Sequence, residues 1–124
     1  MKKIKLTKAE SAIMQILWNN GSPLSIRDIP EIEPTLNPNT VATAVKQLQK
    51  KGMIKVADIT YHGSALTRLF APAMSREDYA LSALHADNIP IMNVISAFVG
   101  KHCDAEDLEQ LEKMIAAEKK KKDK

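Results

Sequence analysis

Asn37-Pro38 opens the segment that most restricts how this chain can fold. Asparagine is a favoured helix N-cap, and proline at the first helical position gives up only a donor that was already unpartnered. From that start Val41, Val45 and Leu48 recur at i, i+4 and i+7, and Gly52 supplies a C-terminal stop. The spacing predicts a helix of about four turns with a narrow apolar seam. Asn39, Thr40, Thr43, Lys46, Gln47 and Lys50 lie largely off that seam, and residues 35–57 contain no Asp or Glu. A solvated helix face ordinarily mixes in carboxylates, so a broad polar face without them is a candidate surface for a polyanion.

The flanking segments restrict the fold further. Thr7-Lys8-Ala9-Glu10 has capping-box spacing, and Ala9, Ile13, Ile16 and Leu17 follow at helical intervals, with Trp18 closing the stripe. Asn19-Asn20-Gly21-Ser22-Pro23 ends that helix. Ser25 caps a short second helix through Ile26, Ile29 and Ile32, which Pro30 shortens or distorts. After Gly52, Met53–Val56 and Ala65–Phe70 read as two short strands around a turn at Tyr61–Ser64. Three helices followed by a hairpin make a winged helix-turn-helix. The fold expected is mainly α with a small β-hairpin, followed by a helical dimerisation module.

That module starts at Ser75-Arg76-Glu77-Asp78, a second capping sequence, with Leu81 and Leu84 behind it. Pro90 sits in the first turn of a further helix through Ile91, Ile95 and Phe98, stopped by Gly100. Asp104 caps the last helix, whose stripe is Leu108, Leu111 and Ile115. The expected divisions are a DNA-binding domain at 1–72, a dimerisation region at 73–118 and a disordered lysine-rich tail at 119–124. A helical segment of 46 residues builds little core of its own, so these eight apolar positions call for a second copy of the chain.

Charge follows the same divisions. Residues 1–72 hold ten Lys/Arg against five Asp/Glu, residues 73–118 three against nine, and residues 119–124 five against one. The unremarkable net +3 is thus a basic front, an acidic middle and a basic end, the pattern of a nucleic-acid reader joined to an association module. Amides suit adenine edges, lysines suit phosphates, and a threonine methyl can touch the thymine methyl. Lys55 and Arg68, on the strands, are candidate phosphate contacts, whereas the tip from Asp58 to Ala65 has no Lys or Arg.

At 124 residues the chain is too short for a two-lobed enzyme. His62, His85 and His102 fall on three different elements, and neither a phosphate loop nor a nucleophile elbow occurs. The single cysteine, Cys103, excludes an internal disulfide and any multi-cysteine metal site, so neither metal nor cofactor is expected. His102-Cys103-Asp104 is more simply a helix boundary with its cap than a sensor. The basic N-terminus lacks the apolar stretch of a signal peptide, and no run is long enough to span a bilayer, so a cytoplasmic location without membrane contact is expected. A winged-helix protein-interaction module that leaves DNA alone is the rival reading, favoured by the uncharged hairpin tip; salt-sensitive duplex binding separates the two.

Three runs also resemble a known family. Leu6–Glu10 through Ile16-Leu17-Trp18 and Gly21, Asn37–Thr43 with Leu48–Gly52, and Phe70–Asp78 are similar to the penicillinase, methicillin-resistance and copper-responsive repressors (the BlaI/MecI/CopY family). The resemblance implies a homodimeric bacterial repressor, with an N-terminal winged helix on double-stranded DNA, a helical C-terminal dimerisation module and, in some members, a sensor protein as a further partner. A dimer would set its two recognition helices about one DNA turn apart, roughly 34 Å, matching a palindromic operator. Members released by a sensor protease carry Asn-Phe where this chain has Ala97-Phe98, and copper-responsive members carry a cysteine cluster where it has Cys103 alone. Neither mode of release is carried across by the resemblance.

Overall fold

The computed structural model describes residues 4–123. The elements run α1 (Lys8–Asn20), α2 (Asp28–Ile32), α3 (Pro38–Lys50), β1 (Ile54–His62), β2 (Ala65–Pro72), α4 (Arg76–Ala86), α5 (Ile91–His102) and α6 (Ala105–Lys122). They fall into two compact units, Met1–Ala83 and Leu84–Lys124, with the boundary inside α4.

Local caps set the helix starts in the first unit. Thr7 Oγ1 accepts from the Glu10 N–H at 3.2 Å while Glu10 accepts from the Thr7 N–H at 3.0 Å, the reciprocal pair of a capping box. Asn37 accepts from the Thr40 N–H at 2.9 Å, and Pro38 occupies the first turn of α3. α2 begins later than expected. Ser25 and Asp28 bond each other reciprocally, and the helix proper starts only at Asp28. Pro30 then lies in the first turn, where its missing N–H costs nothing.

The core of this unit is aliphatic and methionine-filled. Ile13, Met14 and Leu17 of α1 meet Ile29 of α2 and Val41, Ala44, Val45 and Leu48 of α3, with Met53, Ile54 and Phe70 closing one side. The hairpin is longer than the sequence suggests. β1 and β2 pair antiparallel from Ile54↔Pro72 to His62↔Ala65, with an irregularity between Val56 and Asp58. Gly63, at φ 65°, accepts the left-handed conformation of the two-residue turn. Leu24 adds a pairing that the sequence does not announce: its N–H and C=O both bond Phe70, at 2.9 and 2.7 Å.

The chain leaving the hairpin is tied back onto α1. Trp18 Nε1 donates to the Met74 carbonyl at 2.9 Å, and the Arg76 guanidinium lies 5.5 Å from the Trp18 ring centroid. Arg76 also donates to Asn19 at 2.6 Å, and Tyr79 tilts against Trp18 at 5.9 Å. These contacts tie the start of α4 into the first unit, which runs to Ala83.

α4 ends at Ala86, the positive φ of 56° at Asn88 turns the chain, and Pro90 precedes α5 as its N-cap. α5 continues through Gly100 to His102, so that glycine does not stop it. Asp104 and Asp107 form a reciprocal capping box for α6. α6 runs on to Lys122, and the expected disordered tail is thereby corrected: Lys119–Lys122 are its last turn, where positive charge suits the helix C-terminus. Lys124 lies outside the described residues. No residue of α5 or α6 is buried, and Ile95, Phe98, Leu108 and Ile115 stand exposed.

Candidate nucleic-acid interface

α3 buries Val41, Ala44, Val45 and Leu48. At about 100° per residue, Asn39, Thr43, Lys46 and Lys50 lie opposite that stripe. Thr40 and Gln47 then occupy one shoulder, and Ala42 and Gln49 the other. All six polar residues singled out on this helix are exposed.

Two grooves border that face. The first runs between the start of α1 and α3 and collects Asn39, Thr40, Thr43 and Gln47 beside Thr7 and Glu10. The second lies between α3 and the hairpin, where Lys46 and Gln49 meet Arg68 of β2 and Arg27 from the turn before α2. The candidates thus divide into an amide-and-hydroxyl shoulder and a cationic one, with Lys50 beyond both grooves. Lys55 is placed apart. It pairs with Ala71, so it projects from the hairpin face opposite Phe70 and Arg68. Arg27 is the residue that sequence reasoning missed; its signal was being the only Lys or Arg between Lys8 and Lys46.

The one carboxylate bordering the first groove is neutralised by design of the packing. Glu10 is 3% exposed and accepts a hydrogen bond from Lys51 Nζ, which also donates to the Lys5 carbonyl at 2.6 Å. Burial alone pushes the Glu10 carboxyl up, but the Lys51 hydrogen bond, the Thr7 N–H and the Lys51 charge together outweigh it and hold it below its ordinary value. Lys51 is therefore a structural cation, spent inside the fold.

One face of the distal hairpin carries an apolar patch. Tyr61 pairs with Leu66, and the two are 70% and 66% exposed, with Ile59 on the same face. In the second unit, desolvation and then the Asp107 and Asp104 carboxylates push the Cys103 thiol up, away from the reactive thiolate a sensor needs. Among the described residues, no group of three or more His, Cys, Asp or Glu is placed to hold a metal.

The family model described as "Penicillinase repressor" matches residues 6–117. The chain belongs to the penicillinase repressor family. It is a DNA-binding transcriptional repressor. No curated protein matches the sequence. Solved structures similar to it include the adhesin competence repressor AdcR of Streptococcus pyogenes, at 21% identity and a TM-score of 0.46 over 91% of this chain and 79% of that one. A substituted form of ZitR from Lactococcus lactis is similar at 19% identity and a TM-score of 0.46, over 98% of this chain and 78% of that one. No helix among the described residues is long and apolar enough to cross a membrane.

Proposed function

We propose that this penicillinase-family repressor acts as a homodimer on a palindromic operator and represses by occluding the promoter. The observation that carries the reading is the outward face of α3, which offers amides, hydroxyls and lysines with no carboxylate, opposite a fully buried seam. Asn39, Thr40, Thr43 and Gln47 read base edges in the major groove, while Lys46, Lys50 and Arg68 hold phosphates. Lys55, on the other face of the hairpin, is left out of the contact set.

The second copy is called for by the second unit. Leu81 at the end of the first unit and Ile95, Phe98, Leu108 and Ile115 of α5 and α6 are exposed, with Leu84, Ile91 and Leu111 half-buried beside them. Covering such apolar surface with its own copy is the common solution, and two-fold symmetry sets two recognition helices roughly 34 Å apart on DNA. Selection of bound sites from a random duplex pool tests the proposal: it should return an inverted repeat with half-sites about one turn apart. Recovery of single, unpaired half-sites by a monomer of 13.7 kDa would refute it.

A further inference from the structure

Three separate segments bring a cation to the groove between α3 and β2: Arg27 before α2, Lys46 on α3 and Arg68 on β2. No ion pair among the described residues ties up any of them. The adjacent Asp28 carboxylate is turned to the Ser25 N–H at 2.9 Å. Arg27 makes no cap hydrogen bond with its side chain and is exposed. Gln49 and Thr67 add neutral donors, and the walls between are apolar, with Leu66 and Phe70 on the hairpin side.

Cations alone would suit any small anion. Cations set along an open groove with apolar walls suit a chain that alternates anionic and apolar groups, and a nucleic-acid backbone alternates phosphate with deoxyribose. Lys46 belongs both to this groove and to the outward face of α3, so a strand lying here continues the proposed interface without a break. We infer that the α3–β2 groove binds the phosphodiester backbone of one DNA strand, with Arg27 as a phosphate contact beside Lys46 and Arg68. The inference rests on the proposed DNA-bound state and assigns it a residue from outside the recognition helix and the hairpin.

The test is the salt dependence of affinity for a random-sequence duplex and for the selected operator. Arg27→Gln should reduce the slope of log affinity against log salt by about 0.9, the weight of one phosphate contact. It should weaken both duplexes by the same factor, because a phosphate carries no sequence information. Arg27→Lys, which keeps the charge, should recover most of the slope. An unchanged slope in Arg27→Gln, with wild-type binding still salt-dependent, overturns the site and leaves the proposed function standing. A loss confined to the operator also overturns it, since Arg27 would then read a base. Wild-type protein whose duplex binding ignores salt removes the site and the proposed function together. Competition by inorganic phosphate at matched ionic strength should be no stronger than by chloride; stronger competition would make this a free-anion site and overturn the assignment. Should Arg27→Gln lose its cooperative unfolding transition, Arg68→Gln in the same groove carries the same expectation and the same refutation.

Discussion

Lys51, the C-cap residue of α3, reaches back across the core to hydrogen-bond Glu10 of α1, whose carboxylate is almost wholly withdrawn from water. The bond joins residues 41 positions apart and locks the recognition helix to the first helix. Removing one partner strands a buried charge. Lys51→Met should destabilise the protein by about 3 kcal/mol, the low end for breaking a buried pair because Lys51 itself keeps 30% exposure. Urea unfolding measures it, and a change under about 0.5 kcal/mol, ordinary for a surface site, would refute the lock.

The same pair gives the protein an acid-sensitive element. The folded state holds Glu10 below its ordinary value. Its contribution is therefore complete above the ordinary value, and is lost as pH falls through the lowered folded value. Stability measured against pH should drop on acidification below the ordinary glutamate range, and Glu10→Gln should flatten that drop. Parallel curves for wild type and variant would disprove the linkage.

Base reading and phosphate holding separate in binding experiments. Thr43→Ala and Gln47→Ala should each cost about 1–3 kcal/mol on the operator and little on random DNA. Lys46→Gln and Lys50→Gln should weaken both equally and lower the salt slope by about 1 each. Gel shifts across a salt series distinguish the patterns, and four identical profiles would remove the assigned roles.

How much of this was legible in the sequence depends on the distance over which each feature is built. Thr7 with Glu10, Asn37 with Pro38, and Asp104 alone read correctly as caps, each closed within three residues, while the return bond from Asp107 was seen only in the structure. The apolar seam of α3 was equally plain because periodicity is local. What escaped is non-local. The Leu24–Phe70 pairing, the tie from Trp18 to Met74 and the arrival of Arg27 beside Arg68 depend on how distant segments meet. Gly100 misled for a different reason. Glycine permits a helix to stop but does not compel it, and α5 has no other terminator until the turn before Asp104.

Trp18 is the sole tryptophan and sits at the exit from the hairpin, so its fluorescence reports that junction. Trp18→Phe loses the hydrogen bond to Met74 and weakens the contact with Arg76, which should cost about 1–2 kcal/mol. Arg76→Ala should shift the Trp18 emission with a smaller loss of stability. An unshifted spectrum would mean that the guanidinium does not rest on the ring in solution.

The apolar face of the second unit makes an equally direct prediction. Ile95→Asp with Phe98→Asp should convert a dimer to a monomer in sedimentation and abolish cooperative binding to the full operator. Half-site binding should survive at reduced affinity. A double variant that remains dimeric would place the interface elsewhere.

Lys51 ties the C-terminal end of α3 to Glu10 of α1, and Val41, Ala44, Val45 and Leu48 bed its inner stripe in the core. A rod tied at one end and bedded along one side resists rolling about its own axis, so this helix has little freedom to tilt toward an altered operator. Divergence of target sites within this scaffold must then proceed by exchanging side chains at 39, 43 and 47 one at a time. An insertion within α3 would turn the buried stripe out of the core or break the Lys51 tie before it created a new preference.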